Sequence, residues 1–280
     1  MAAPYPEKNV TPFTQDIADA ALSPVIRNIT FADLQDALRL GWADFKAVPN
    51  HPIILCLYVI YPALSLVLAG MVLGYSLLPL LFPLLAGFTL MGPFAALGLY
   101  ELSRRRELGE EASPWQATKV LRSPSFGAML GLGTLLLTIF VVWVATAQVI
   151  YVSTFGNAPS VGIPHFATRV LTTSEGWELI VVGCSVGFLF AVVALCISVV
   201  SFPLIHDRHA SAADAITTSF RAVAQNPVSM AAWGLIVAVL LLLGSMPLFL
   251  GRAVVIPLLG HSTWHLYRKV VERNPNLPER

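Results

Sequence analysis

Long apolar runs broken by short polar segments dominate this chain. A helix needs about 20 mostly apolar residues to cross the ~30 Å hydrocarbon layer of a bilayer. Six stretches meet that requirement, at about 53–73, 77–100, 126–151, 175–201, 228–246 and 250–268. Gly74-Tyr75-Ser76 marks a very short turn within the first pair, and Met246-Pro247 to Gly251 joins the last. The pattern predicts an all-α, polytopic membrane protein with six transmembrane helices.

The polar segments between the runs have a pattern of their own. "FKAVPNHP" (45–52) aligns without a gap on "FRAVAQNP" (220–227), and "ATKVLRSP" (117–124) follows more loosely. Each of these segments opens on a capping-box spacing: Thr30-x-x-Asp33, Ser113-x-x-Gln116 and Ser211-x-x-Asp214. The X-Pro step that ends each segment disfavours further helix and sets a bend. The expected organisation is three tandem units of an interfacial amphipathic helix plus a helical hairpin, at about 30–101, 113–203 and 211–268. Tails of 1–29 and 272–280 flank a membrane domain of 30–271. In the first interfacial helix Phe31, Leu34, Leu38, Trp42, Phe45 and Val48 recur at helical spacing, and Asp33, Asp36, Arg39, Asp44 and Lys46 are assigned to the other side. Such a helix lies in the head-group plane or packs on the ends of the spans, and the two are compatible.

Charge adds an orientation. Only 12% of the 280 residues are charged, and 15 of the 17 Lys and Arg fall on one side of the six spans. Arg169 and Arg252 are the exceptions. The positive-inside rule then places both termini of the multi-pass chain in the cytoplasm. The first 20 residues lack the apolar h-region of a cleaved signal, so the N-terminus is expected to stay on the mature protein. No basic patch suggests nucleic acid as a partner. Cys56, Cys184 and Cys196 all sit in apolar runs and read as small buried residues. The one long outer loop, about 152–174, reads as a lid or a solvated connector.

Candidate chemistry gathers at the end of the last span, in "PLLGHSTWHLYRK" (257–269). His261, His265 and Arg268 share one helical face. Three roles compete for this stripe. The first is a metal or haem ligand pair at His261 and His265, which lacks a carboxylate or thiolate on the same helix. The second is a polar stripe that receives an anionic group such as a lipid phosphate or a quinone oxygen. The third, favoured, is structural: interhelical hydrogen bonds, with Trp264 and Tyr267 as interfacial anchors alongside Trp42 and Phe45. Glu101 is a candidate rim partner for Arg268 or His265, against the alternative of a solvated carboxylate beside Arg104 to Arg106. His206 and His209, flanking Asp207, are weak metal candidates, since two ligands do not close a site. No P-loop, GxGxxG, GxSxG or HExxH pattern is present, because Ser262 stands where HExxH needs Glu.

The stretches "GPFAALGLYELSRRRELGE" (92–110), "SVVSFPLIHDR" (198–208), "RAVAQNPVSMAAW" (221–233) and Ile256 to Lys269 resemble an uncharacterised bacterial integral-membrane family, a domain of unknown function. Some of its members carry a cytochrome c oxidase subunit I label. The resemblance implies a membrane protein but supplies no catalytic residues. Oxidase catalysis is rejected, because six histidines are needed inside the spans and only His261 and His265 fall there. The expected function is therefore non-enzymatic, an accessory or assembly partner of a respiratory membrane complex. The alternative is a small-solute or lipid transporter that uses the stripe on the last helix. No cofactor is expected, haem or metal at His261 and His265 being the lesser alternative.

Overall fold

The computed structural model describes residues 24–48, 92–156, 163–245 and 251–273. Regular structure among them is helical throughout, apart from one isolated antiparallel bridge between Ile26 and Val271. The helices are α1 (Phe31–Ala47), α2 (Gly92–Ala95), α3 (Leu97–Glu107), a 3-10 helix (Pro114–Arg122), α4 (Phe126–Phe155), α5 (Ile163–Thr172), α6 (Ser174–Ser198), α7 (Ser201–Arg208), α8 (Ala212–Gln225), α9 (Pro227–Ser245) and α10 (Arg252–Val270).

Three helical segments among the described residues are long and apolar enough to cross a membrane: α4, the α6–α7 rod Ser174–Arg208, and α9. Only 28%, 17% and 22% of their most apolar windows are buried within the chain, so most of that surface faces outward. Lipid is the solvent that suits it. Polar side chains on these faces satisfy themselves locally. The hydroxyls of Thr134, Thr138 and Thr146 donate to the carbonyls four residues earlier at 2.9, 2.9 and 2.8 Å. The sequence's first span and most of its second lie outside the described residues. Its sixth span forms α10, which is not among the three apolar segments.

Local chemistry explains the breaks. Pro203 has no N–H for the carbonyl of Val199, and its ring crowds that carbonyl, so α6 ends and α7 restarts two residues later. Val200 N–H is taken instead by Ser219 Oγ of α8 at 3.3 Å. Thr173 caps α6 by accepting from Gly176 N–H at 3.1 Å. The expected capping boxes form at Thr30, whose N–H and hydroxyl both reach Asp33 Oδ2 at 2.8 Å, and Ser211 Oγ accepts from Asp214 N–H at 3.2 Å. At Ser113 the side chain caps nothing, and the segment winds as a 3-10 helix.

The ends of α3, α7 and α10 lie side by side and point the same way, since Glu101 meets His206, Ser103 meets His261, and Asp207 meets Tyr267. Shorter elements pack around them: the 3-10 helix on α3, α8 on α6 and α7, and α1 on α10. The α1 contact is the tightest. Leu34, Ala37, Gly41, Asp44 and Val48 recur at spacings of three and four and are all buried. A Cβ on Gly41 would lie 2.1 Å from Ser262 Oγ and 2.8 Å from Ser262 Cα. This corrects the two-sided reading of α1. The protein-facing row runs between two flanks, one apolar (Phe31, Leu38, Trp42, Phe45) and one acidic (Asp33, Asp36), and Asp44 belongs to the row itself and is turned inward. Phe31 and Trp42 remain exposed, at 58% and 43%.

The segments just before α1 and just after α10 are tied together at the same level. Arg27 N–H donates to Val270 O at 2.7 Å and Glu272 N–H to Val25 O at 2.9 Å. The Asn226 amide bridges Ile29 N–H (2.8 Å) and Arg27 O (3.0 Å) just before α9 begins.

Gly41→Ala is expected to destabilise the detergent-solubilised protein by about 1–3 kcal/mol, because the clash falls on backbone atoms. Gly127→Ala, with open space around it, is expected to leave the unfolding midpoint unchanged or slightly raised. Equal midpoints for the two variants would count against the α1–α10 contact.

Candidate functional site

The polar side chains of the last helix converge with those of α1, α3 and α7 in one buried cluster. Its centre is Asp44, 5% exposed. Ser103 Oγ–H donates to Asp44 Oδ2 at 2.6 Å, His265 Nε2–H donates to the same oxygen at 2.8 Å, and Arg106 pairs with Oδ1. Burial pushes the Asp44 carboxyl up. The hydrogen bonds from His265 and Ser103, with the nearby charge of His265, outweigh it and hold the group below its ordinary value.

His261 is fully enclosed and reaches Asp44 through Ser103, with Nδ1 at 2.7 Å from Ser103 Oγ. The Ser103 proton is committed to Asp44, so Nδ1–H of His261 is the donor in this contact. Its Nε2 is then the unprotonated nitrogen, and that atom has no hydrogen-bond partner among the described residues. Arg268 belongs to a second group. Its Nε donates to Glu107 Oε2 at 2.9 Å and Nη1 to Asp207 Oδ2 at 3.0 Å, while its guanidinium lies 5.2 Å from the Trp264 ring centre. Trp264 Nε1–H donates to Glu107 at 3.1 Å and Tyr267 O–H to Asp207 at 2.6 Å. Lys269 reaches back to Asp36 at 2.7 Å.

These positions revise several expectations. The three stripe residues share one helix but divide between two carboxylate centres. Glu101 reaches neither Arg268 nor His265. It is 4% exposed, and its oxygens meet Arg104 Nε (2.9 Å), Arg105 Nε (2.7 Å) and His206 Nε2 (2.9 Å). The reason is register: Glu107 and Asp207 lie closer to Arg268 than Glu101 does. Trp264 and Tyr267 are not at an exposed belt, being 0% and 1% exposed, because each ring's polar tip is held by a carboxylate inside the cluster. Trp42 does stay at the surface, stacked on Phe45 at 5.4 Å with the Lys46 ammonium 5.8 Å from its ring centre. His206 is held by Glu101, and His209 Nδ1 by Ser125 Oγ at 2.6 Å. Among the described residues no three His, Cys, Asp or Glu side chains converge on one point. Ser103 and Glu107 were not singled out from the sequence, Asp207 was weighed only beside His206 and His209, and Asp44 was assigned to the polar side of α1. Asp44 alone carried a usable signal, its place in the row with Leu34, Ala37 and Gly41.

An open groove of about 380 Å³ lies between α1, α3 and α10, with Asp44, Arg106, Glu107, His265 and Lys269 on its walls. Chemically the cluster clamps helix ends together. Each carboxylate at its core holds charged or hydroxyl donors from other helices.

Residues 81–207 match the model of a family described as "Predicted integral membrane protein (DUF2189)", a family of unknown function. No curated protein and no solved structure matches the chain.

Asp44→Ala is expected to cost about 3–5 kcal/mol of stability, since it strands Arg106, His265 and Ser103 in the cluster. Chemical unfolding in detergent measures it. Asp44→Asn, which keeps the volume, should recover only part of the loss.

Burial raises the Glu101 carboxyl, but hydrogen bonds from His206 and Arg104 and the Arg104 charge hold it at about 2, below its ordinary 4.5. A depressed folded value stabilises fully above pH 4.5, and the contribution disappears as pH falls towards 2. Unfolding midpoints of the wild type should therefore drop along this acid limb, and Glu101→Gln should flatten it. Parallel curves would show that Glu101 does not couple to folding.

Proposed function

We propose that this chain is a non-enzymatic integral membrane protein that acts through contacts with other membrane components, as an accessory or assembly partner of a larger membrane complex. One observation carries this reading. The charged groups at the polar end bind one another and cement α1, α3, α7 and α10, while the apolar spans leave most of their surface outside the chain. A rigid polar cap under wide apolar faces is the build of a protein that presents surfaces. The architecture proposed with it has six spans in three tandem units and both termini in the cytoplasm of a bacterial inner membrane. The 3-10 helix packs on α3, α8 on α7 and α1 on α10, so each short element sits on a helix of a different unit, and the recurrence of that contact supports the repeat. A respiratory complex is the first partner to test.

A second reading, a small-solute or lipid transporter, is favoured by the groove beside His265 and Lys269. In it the His261, His265 and Arg268 stripe would line the path.

Purification from native membranes in mild detergent separates the two. The accessory reading expects a membrane-protein partner at fixed stoichiometry and no Soret band. Partner-free protein that moves solute or lipid across proteoliposomes, with the flux lost in His265→Ala, would instead support transport. A Soret band or one metal per chain would reassign His261 and His265 as ligands.

A further inference from the structure

The 3-10 helix Pro114–Arg122 has nine residues, whereas such runs seldom exceed three or four. Its period of three sorts the side chains into three rows. Pro114, Ala117 and Val120 form the inner row: Val120 is 4% exposed, and a Cβ on Gly98 of α3 would lie 3.0 Å from Ala117 Cβ. Trp115, Thr118 and Leu121 form an outer row, with Trp115 72% and Leu121 63% exposed. Gln116, Lys119 and Arg122 form the third row, and both cations are exposed. An α-helical period of 3.6 would carry Trp115 into line with Lys119 and Arg122 and blur the apolar and basic rows.

Chain connectivity sets the level of this segment. Only Ser123, Pro124 and Ser125 separate Arg122 from Phe126, where the 30-residue apolar α4 begins. No Asp or Glu occurs between Ser113 and Ser125, so no carboxylate within the segment competes for the two cations. An exposed Trp belongs at the boundary between head groups and acyl chains, and Lys and Arg beside a span attract anionic lipid.

We propose that Pro114–Arg122 is a binding site for anionic phospholipid head groups. Trp115 and Leu121 seat at the acyl boundary, and Lys119 and Arg122 contact the phosphate. Their separation into two rows lets one lipid surface meet both at once. This rests on α4 crossing the membrane and is independent of any accessory role.

The test uses the full chain in nanodiscs of phosphatidylcholine alone or mixed with phosphatidylglycerol. Brominated acyl chains should quench part of the tryptophan emission, and Trp115→Phe should reduce the quenched share, Trp42 and Trp177 keeping the remainder. Native mass spectrometry should show phosphatidylglycerol retained in preference to phosphatidylcholine. Lys119→Gln with Arg122→Gln should lower that preference, by about five-fold per cation lost. All three residues are exposed, so unchanged unfolding midpoints are expected and serve as the folding control. Identical quenching in the wild type and Trp115→Phe would overturn the proposal, as would a lipid preference unmoved by the double variant. A protein partner that shields Trp115 from the brominated lipid in native membranes would overturn it too. Failure of the chain to float with liposomes after alkaline wash would instead remove the membrane span on which it rests.

Discussion

The polar end of this protein depends on keeping one carboxylate charged inside it. Asp44 is turned away from water by the same row of residues that packs α1 on α10. An isolated carboxylate there would be costly by several kcal/mol. Three donors offset the cost, and they come from two other helices: Ser103 and Arg106 of α3, and His265 of α10. The neutralisation is therefore also a joint. Gly41, one turn before Asp44, lets the helices approach until its backbone meets Ser262. Without that approach His265 would not reach the carboxylate. Packing and electrostatics at this contact are one condition, not two.

The same logic repeats around α10. Glu107 gathers Trp264 and Arg268, Asp207 gathers Tyr267 and Arg268, and Glu101 gathers Arg104, Arg105 and His206. Each carboxylate has at least one donor from a different helix. Parallel helix ends bring their carbonyl-rich, negative termini together, so a bundle of this kind needs cations there. Arg104 to Arg106, Arg208, Arg268 and Lys269 supply them. The basic residues that mark orientation in the sequence thus have a second employment in holding the bundle shut.

Much of this was legible in advance, and what was missed has a physical pattern. The three apolar segments were visible because each lies within one continuous run, and the caps at Thr30 and Ser211 because their partners stand three residues away. His261, His265 and Arg268 were found because ionisable groups are rare in such a run. Their pairing was not, since Glu107 and Asp207 are distant in sequence, and the one local mark, the histidines beside Asp207, pointed to metal rather than to Arg268. Trp264 and Tyr267 beside a basic cluster look like interfacial anchors, and only neighbours on α3 and α7 turn them inward. In α1 the large aromatics drew the apolar face towards Phe31 and Trp42. The small residues Ala37 and Gly41 hold the true contact, because close helix approach selects small side chains rather than hydrophobic ones. The 3-10 winding of Pro114–Arg122 was hidden for a similar reason, its capping spacing being equally compatible with an α-helix.

The position of α1 has a consequence for assembly. Its partner α10 is the last of the described helices, and residues 25–27 pair with 270–272. During synthesis α1 must exist for most of the chain's length without the donor from His265 and without a neighbour for Gly41. Contacts of such sequence separation form late, because the loop must close before they contribute. The apolar flank of Phe31, Leu38, Trp42 and Phe45, of which Phe31 and Trp42 stay exposed in the finished fold, has the composition of a membrane-surface helix. Asp36 on the acidic flank gains its Lys269 partner only once α10 is made. Two unlike flanks beside a packing row therefore leave α1 soluble on one side and apolar on the other before that contact exists.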